Sequence, residues 1–214
     1  FGNNDFLNSG TAKCRNYFPL NYYNNNSSVQ MFSDAYMSQY DTGLNMAFHY
    51  EAGGVDWLII SVKDSPGSGE ADWAASMMAA HPDKRVIVVS HDNLTGDDDV
   101  YQRAKNYENV VLMLAGHNVP GSSGKQELST NHSYPLYFLR TCWHLPYGDS
   151  YLAVLELDTS DGSAYCYYYS PYYGKYAHQS GATGWDSSKL DHSYPWSDWT
   201  GMNIIGTAAP IVAN

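Results

Sequence analysis

Apolar and polar positions change their rhythm several times along the chain. Residues 1–45 are polar, with Asn- and Tyr-rich stretches around 21–28, and show no clear period. From Leu44 the rhythm tightens. Residues 45–49 and 55–62 (VDWLIISV) predict two strands joined through a Gly53-Gly54 turn. Residues 69–80 (GEADWAASMMAA) are alanine-rich, which favours helix, and His81-Pro82 marks the end of that helix. Arg85–Ser90 (RVIVVS) is a short β-branched apolar run, the mark of a strand covered on both faces. Residues 99–107 predict a second helix, and residues 109–115 (NVVLMLA) another buried strand. Strand, helix, strand, helix, strand is an α/β order. Residues 136–142, 151–157 and 164–169 alternate instead, as antiparallel strands do, with a turn at 158–163 between the last two. The string His-Ser-Tyr-Pro occurs at 132–135 and again at 192–195, too short to mark a repeat protein.

Composition narrows the function classes. The 214 residues include 22 acidic and 11 basic side chains, for a net charge of −11. That balance speaks against nucleic acid and against anionic membrane surfaces, which require basic patches. Charged residues make up 15%, against roughly 25% in ordinary soluble domains. Tyrosine, at 20 residues, outnumbers Phe and Trp combined. No apolar stretch comes near the roughly 18 residues of a membrane span. The chain opens at Phe1 without an n-region or apolar h-region, as a processed chain or a fragment does. Sequons at Asn25, Asn26, Asn93 and Asn131, with scarce lysine, favour a secreted, extracellular glycoprotein. The cysteines are Cys14, Cys142 and Cys166, an odd number. Cys142 and Cys166 lie in two strand-like runs, so either a disulfide joins them or all three thiols are simply buried.

Two predicted strands run into histidine. Arg85–Ser90 is followed at once by His91, and the 109–115 run leads through Gly116 to His117. In an α/β sheet, residues just past the carboxyl ends of adjacent strands converge on one crevice. Imidazole there is a favoured ligand for a transition metal, although a hydrogen-bonded turn histidine fits the same position.

The order of motifs around these histidines resembles the second half of the calcineurin-like metallophosphoesterases, in particular secreted bacterial-type members. The resemblance rests on Gly2-Asn3-Asn4-Asp5, on AGGVDWLIISV (52–62), HPDKRVIVVSHD (81–92) and NVVLMLAGH (109–117), and more weakly on 151–171. It implies a domain over residues 1–175 and a Tyr/Gly/Ser-rich extension over 176–214. The implied fold is α/β, part of a two-sheet sandwich flanked by helices and ending in an antiparallel meander. By the same resemblance Asn3, His91 and His117 correspond to ligands of one divalent metal, zinc, iron or manganese. Asn4 stands where the family has its acid histidine, and Val119 where it has a second metal-binding histidine. The family's Asp-x-His and Gly-Asp-x-x-Asp motifs would precede Phe1. Valine ligates nothing and an amide is no general acid near neutral pH. The expectation is a degenerate scaffold, an extracellular protein assembling into a homo-oligomer or filament. Its rival is an active phosphoesterase whose other motifs lie on a separate N-terminal segment. The charge-free tail 202–214 (MNIIGTAAPIVAN) either adds as a strand to a neighbour or folds back on its own subunit. The tyrosines of 165–176 suit packing, assembly or stacking on sugars.

Overall fold

The computed structural model describes residues 36–40, 44–91, 94–116, 124–140, 152–176, 196–199 and 201–204. Its frame is a seven-stranded mixed sheet. The strands are β1 (Tyr36–Tyr40), β2 (Asn45–Ala52), β3 (Val55–Ser61), β4 (Arg85–Ser90), β5 (Val110–Ala115), β6 (Gly124–Leu128) and β7 (Leu136–Arg140), in the spatial order β1-β2-β3-β4-β5-β7-β6. β3, β4, β5 and β7 run parallel, and the antiparallel pairs lie at the two flanks.

Local chemistry accounts for these elements. β2 and β3 meet at Gly53 and Gly54, whose φ angles of 63° and 72° suit a two-residue hairpin turn that L side chains resist. The central strands β4 and β5 bury nearly every residue, which is why their sequence shows no alternation. Helix α1 (Ser68–Ala80) starts where the Glu70 carboxylate accepts the Gly67 N–H at 2.9 Å. It ends where the Asn109 amide donates to the carbonyls of Met78 and His81, both at 3.0 Å. Helix α2 (Asp99–Ala104) is capped by Asp98, whose side chain accepts the Tyr101 N–H. Asp99 pairs with Arg103 one turn on, so the acidic run 97–99 is a helix start.

A second sheet is built on β9 (Ser163–Ser170). β8 (Leu152–Asp158) pairs with it antiparallel along its whole length, and β10 (Lys175–Tyr176) and β11 (Trp196–Trp199) pair with it as well. One face of the large sheet packs Leu58, Ile60, Val88 and Met113 on Ala74, Met78 and Ala104 of the helices. The other packs Trp57, Ile87, Leu112 and Leu139 against Ala164 and Cys166 of the second sheet. The layers therefore run helices, mixed sheet, antiparallel sheet.

Three sequence expectations change here. The run beginning at Leu136 joins the main sheet parallel to β5 rather than the antiparallel meander, which consists of β8 and β9. Its alternation was misleading because β7 is covered on both faces, with 136 through 139 all buried. The short polar strand β6 carries no apolar period and was not anticipated. Parts of the 176–214 segment also build into the fold. β11 extends the second sheet, Met202 and Ile204 are buried between the layers, and the Met202 N–H donates to the Gly162 carbonyl at 3.0 Å. Residues 202–204 thus fold back on their own subunit, the second of the two alternatives. Residues 205–214 lie outside the described residues.

Candidate functional site

The carboxyl ends of β3, β4 and β5 form a crest. Parallel register sets Ser61 beside Val89 and Ser90 beside Ala115. The ladder continues past the strands, with Val62 N–H donating to Val89 O at 2.8 Å and Gly116 N–H donating to His91 O at 3.2 Å. His91, half-buried, therefore sits against Gly116, the residue before His117. Two strand ends converge, as the sequence predicted. Asn3, His117 and sequon residue Asn93 lie outside the described residues, as do Asn25, Asn26 and Cys142.

Around His91 the crest is a closed polar network. Asn45, fully buried, accepts the Lys63 N–H at 2.9 Å and donates to the Tyr40 carbonyl at 3.3 Å. The Lys63 carbonyl accepts from the Ser90 hydroxyl at 3.2 Å, tying β3 to β4. The Lys63 ammonium meets Glu70 at 2.7 Å, and Glu70's other oxygen holds the start of α1. Burial pushes the Glu70 carboxyl upward, but Lys63 and the Gly67 N–H outweigh it and hold the group below its usual value. Between Lys63 and α1 the backbone turns through Ser65, at φ 49°.

Among the described residues no three His, Cys, Asp or Glu side chains gather as a metal site. His91 is thus the one member of the expected ligand set that the structure places, at the strand end where it was expected. Asn131 is exposed and donates from its side-chain amide to Asn106. Cys166 is a buried free thiol on β9, opposite Leu155, and burial pushes its pKa up to about 12. Such a thiol is inert.

Sequence reading missed Lys63, Glu70 and Asn45 at the crest. The one legible signal was an acidic residue three positions after a Gly-rich helix start. It also missed two enclosed polar groups toward the other end of the sheet, the Arg85 Nε and the His132 ring. The chain matches no protein-family model, no curated protein and no solved structure. No helix among the described residues is long and apolar enough to cross a membrane.

Proposed function

We propose that this chain is an extracellular, self-assembling protein built on a metallophosphoesterase-like scaffold whose hydrolytic centre has degenerated. The observation that carries the assembly reading is the outer face of the second sheet. Ala164 and Cys166 point into the core, so Tyr165 and Tyr169 occupy the opposite face, and Tyr176 lies directly across from Tyr169 with ring centroids 5.1 Å apart. Tyr165, Tyr176 and the adjoining Tyr172 are 40%, 37% and 76% exposed. Uncharged, exposed tyrosines are the residues that protein contacts favour. The outer edge of β8, Leu152–Asp158, pairs with no other described strand, which leaves a ladder for a second copy to extend.

The degenerate centre is supported by Asn4 and Val119, which replace the acid and one ligand that the resemblance calls for. The donor types of Asn3, His91 and His117 fit at most one zinc, iron or manganese ion, a Lewis acid for a phosphoryl oxygen. A second reading, an active metal-dependent phosphoesterase completed by a separate segment, is favoured by the approach of His91 to Gly116.

The test pairs electron microscopy and light scattering with phosphatase assays in added zinc, manganese or iron. Filaments or lattices without turnover are expected, and the combined substitutions Tyr165→Ser, Tyr172→Ser and Tyr176→Ser should return them to monomers. A monomer with robust phosphoester hydrolysis would overturn the assembly reading in favour of the second.

A further inference from the structure

β7 runs parallel to β5, so the loop that leads into it from β6 lies at the end of the sheet opposite the crest. Leu128 and Leu136, partners across the ladder, bury the two ends of this loop in the core. The Tyr101 hydroxyl on α2 donates to the Ser129 carbonyl at 2.8 Å, and the Asn131 N–H donates to the Lys105 carbonyl at 2.9 Å. Inside the loop the Thr130 hydroxyl donates to the His132 carbonyl at 3.1 Å. The loop's shape is thus set by its own bonds, and a ligand binding there does not have to order it.

The loop and the strands beside it border a cavity of about 410 Å³, within the roughly 300–1,000 Å³ of small-molecule sites. Its lining includes Glu127, Thr130, His132, Ser133, Tyr134 and Tyr137. Glu127 and Tyr137 are register partners on β6 and β7, so both lie on one face of the sheet. Tyr137 is buried, Tyr134 is 41% exposed, and Glu127 and Ser133 are open to solvent. Among the described residues no lysine or arginine borders the cavity. His132 is half-buried, and both its ring nitrogens are enclosed without a hydrogen-bond partner among the described residues. The Tyr134 backbone approaches the ring without meeting hydrogen-bond geometry. Burial lowers the pKa of His132 and outweighs the opposing Glu108 carboxylate, so the ring is uncharged at neutral pH, with one donor and one acceptor nitrogen.

We propose that this cavity binds a neutral saccharide, with Tyr134 as the ring on which its apolar face rests and Glu127 as the acceptor for its hydroxyl protons. The C–H face of a pyranose is apolar and carries partial positive charge, the complement of the electron-rich face of a tyrosine. Two neighbouring hydroxyls can donate to the two oxygens of one carboxylate, and bonds to a charged acceptor are the stronger kind. Each sugar hydroxyl also both donates and accepts, which matches the Ser133 hydroxyl and the unmet capacity of the neutral His132 ring. An anionic ligand fits the same lining poorly, since Glu127 opposes it and no cation among the described residues borders the cavity to offset that charge. The site uses none of the tyrosines assigned above to assembly, so it stands or falls apart from that reading.

The experiment is saturation-transfer difference nuclear magnetic resonance on the full chain, which reads weak binding to monomers and filaments alike. The probes are D-glucose, D-galactose and N-acetyl-D-glucosamine, with D-glucuronate as the charged comparison. Saturable transfer to the ring C–H protons of at least one neutral sugar is expected, with weaker binding of D-glucuronate. Tyr134→Ala should weaken the neutral sugar roughly tenfold, and Glu127→Gln by a similar factor. Tyr165→Ser and Tyr172→Ser should leave it unchanged, which separates this cavity from the outer face of the second sheet. The proposal is wrong if none of the neutral sugars receives saturation, if either cavity variant binds as the native chain does, or if D-glucuronate binds more tightly. Glu127 is exposed, so Glu127→Gln carries the test alone should Tyr134→Ala fail to fold.

Discussion

The two ends of the parallel sheet hold similar chemistry under opposite conditions. At the carboxyl end, Lys63 is neutralised by Glu70, and the buried amide of Asn45 satisfies both a donor and an acceptor. Near the amino end, Arg85 is more deeply buried than Lys63 yet its Nε has no hydrogen bond and it has no ion pair among the described residues, and in the loop before β7 both ring nitrogens of His132 are enclosed without a hydrogen-bond partner. A closed network rigidifies the site it occupies, whereas an open one leaves hydrogen-bonding capacity that a ligand can use. Position in the fold directs attention to the crest; unspent polar groups direct it to the floor. The contrast teaches that strand ends mark where a site can form, while the partner count of each buried polar atom marks where one is needed.

The largest expected effect removes the layer that covers the second face of the sheet. Ile204→Ala empties a fully buried position and should cost about 2–5 kcal/mol in denaturant unfolding. Truncation after residue 201 should then lower stability outright rather than yield an equally stable monomer. If either change leaves the midpoint untouched, residues 202–204 are not part of the core.

Next in size is the crest. Glu70→Ala removes the Lys63–Glu70 ion pair and frees the Gly67 N–H, at an expected cost of about 1.5–3 kcal/mol. The matching change toward the other end, Arg85→Met, should fall within about 1 kcal/mol of native or be stabilising, because it removes an enclosed Nε that has no hydrogen bond and breaks no ion pair among the described residues. Equal losses at the two ends would erase the contrast between them.

The smallest effects are in pH dependence, and both ends lose stability toward acid. Glu70 has its folded pKa below the usual 4.5, so its contribution is present above that value and is lost as pH falls through the lower folded pKa. His132 has its folded pKa below the usual 6.5, chiefly through burial. The unfolded chain therefore takes up its proton first, and stability declines as pH falls from the usual histidine value toward the folded one. Unfolding curves across pH should show Glu70→Gln flattening the more acidic limb and His132→Gln the limb nearer neutrality.

The crest was partly legible because a strand's end is a local property. His91 follows a β-branched run directly, and the parallel register with β5 brings it to Gly116. The Lys63–Glu70 pair was not legible, since its seven-residue separation bridges a turn at Ser65 whose shape no period reports. Arg85 read as the polar first residue of a strand, and nothing local indicates that packing would enclose its Nε without a hydrogen bond. His132 sat in the repeated His-Ser-Tyr-Pro string, which drew notice as a repeat rather than as a source of a buried imidazole.

By itself the sequence determined the α/β character, helix α1, the glycine hairpin between β2 and β3, and the doubly covered strands β4 and β5. Each depends on contacts a few residues apart, on propensity or on how thoroughly a single segment is buried. Only the tertiary structure decided that β7 runs parallel to β5, that β11 joins the second sheet, and that Met202 and Ile204 close the core. It likewise decided that Lys63 is paired with Glu70 and that the enclosed Arg85 Nε has no hydrogen bond among the described residues. The reason is common to all of these. A segment's period records how it is buried, whereas its neighbours, and the partners of its charges, are chosen by the packing of chain segments far apart in sequence.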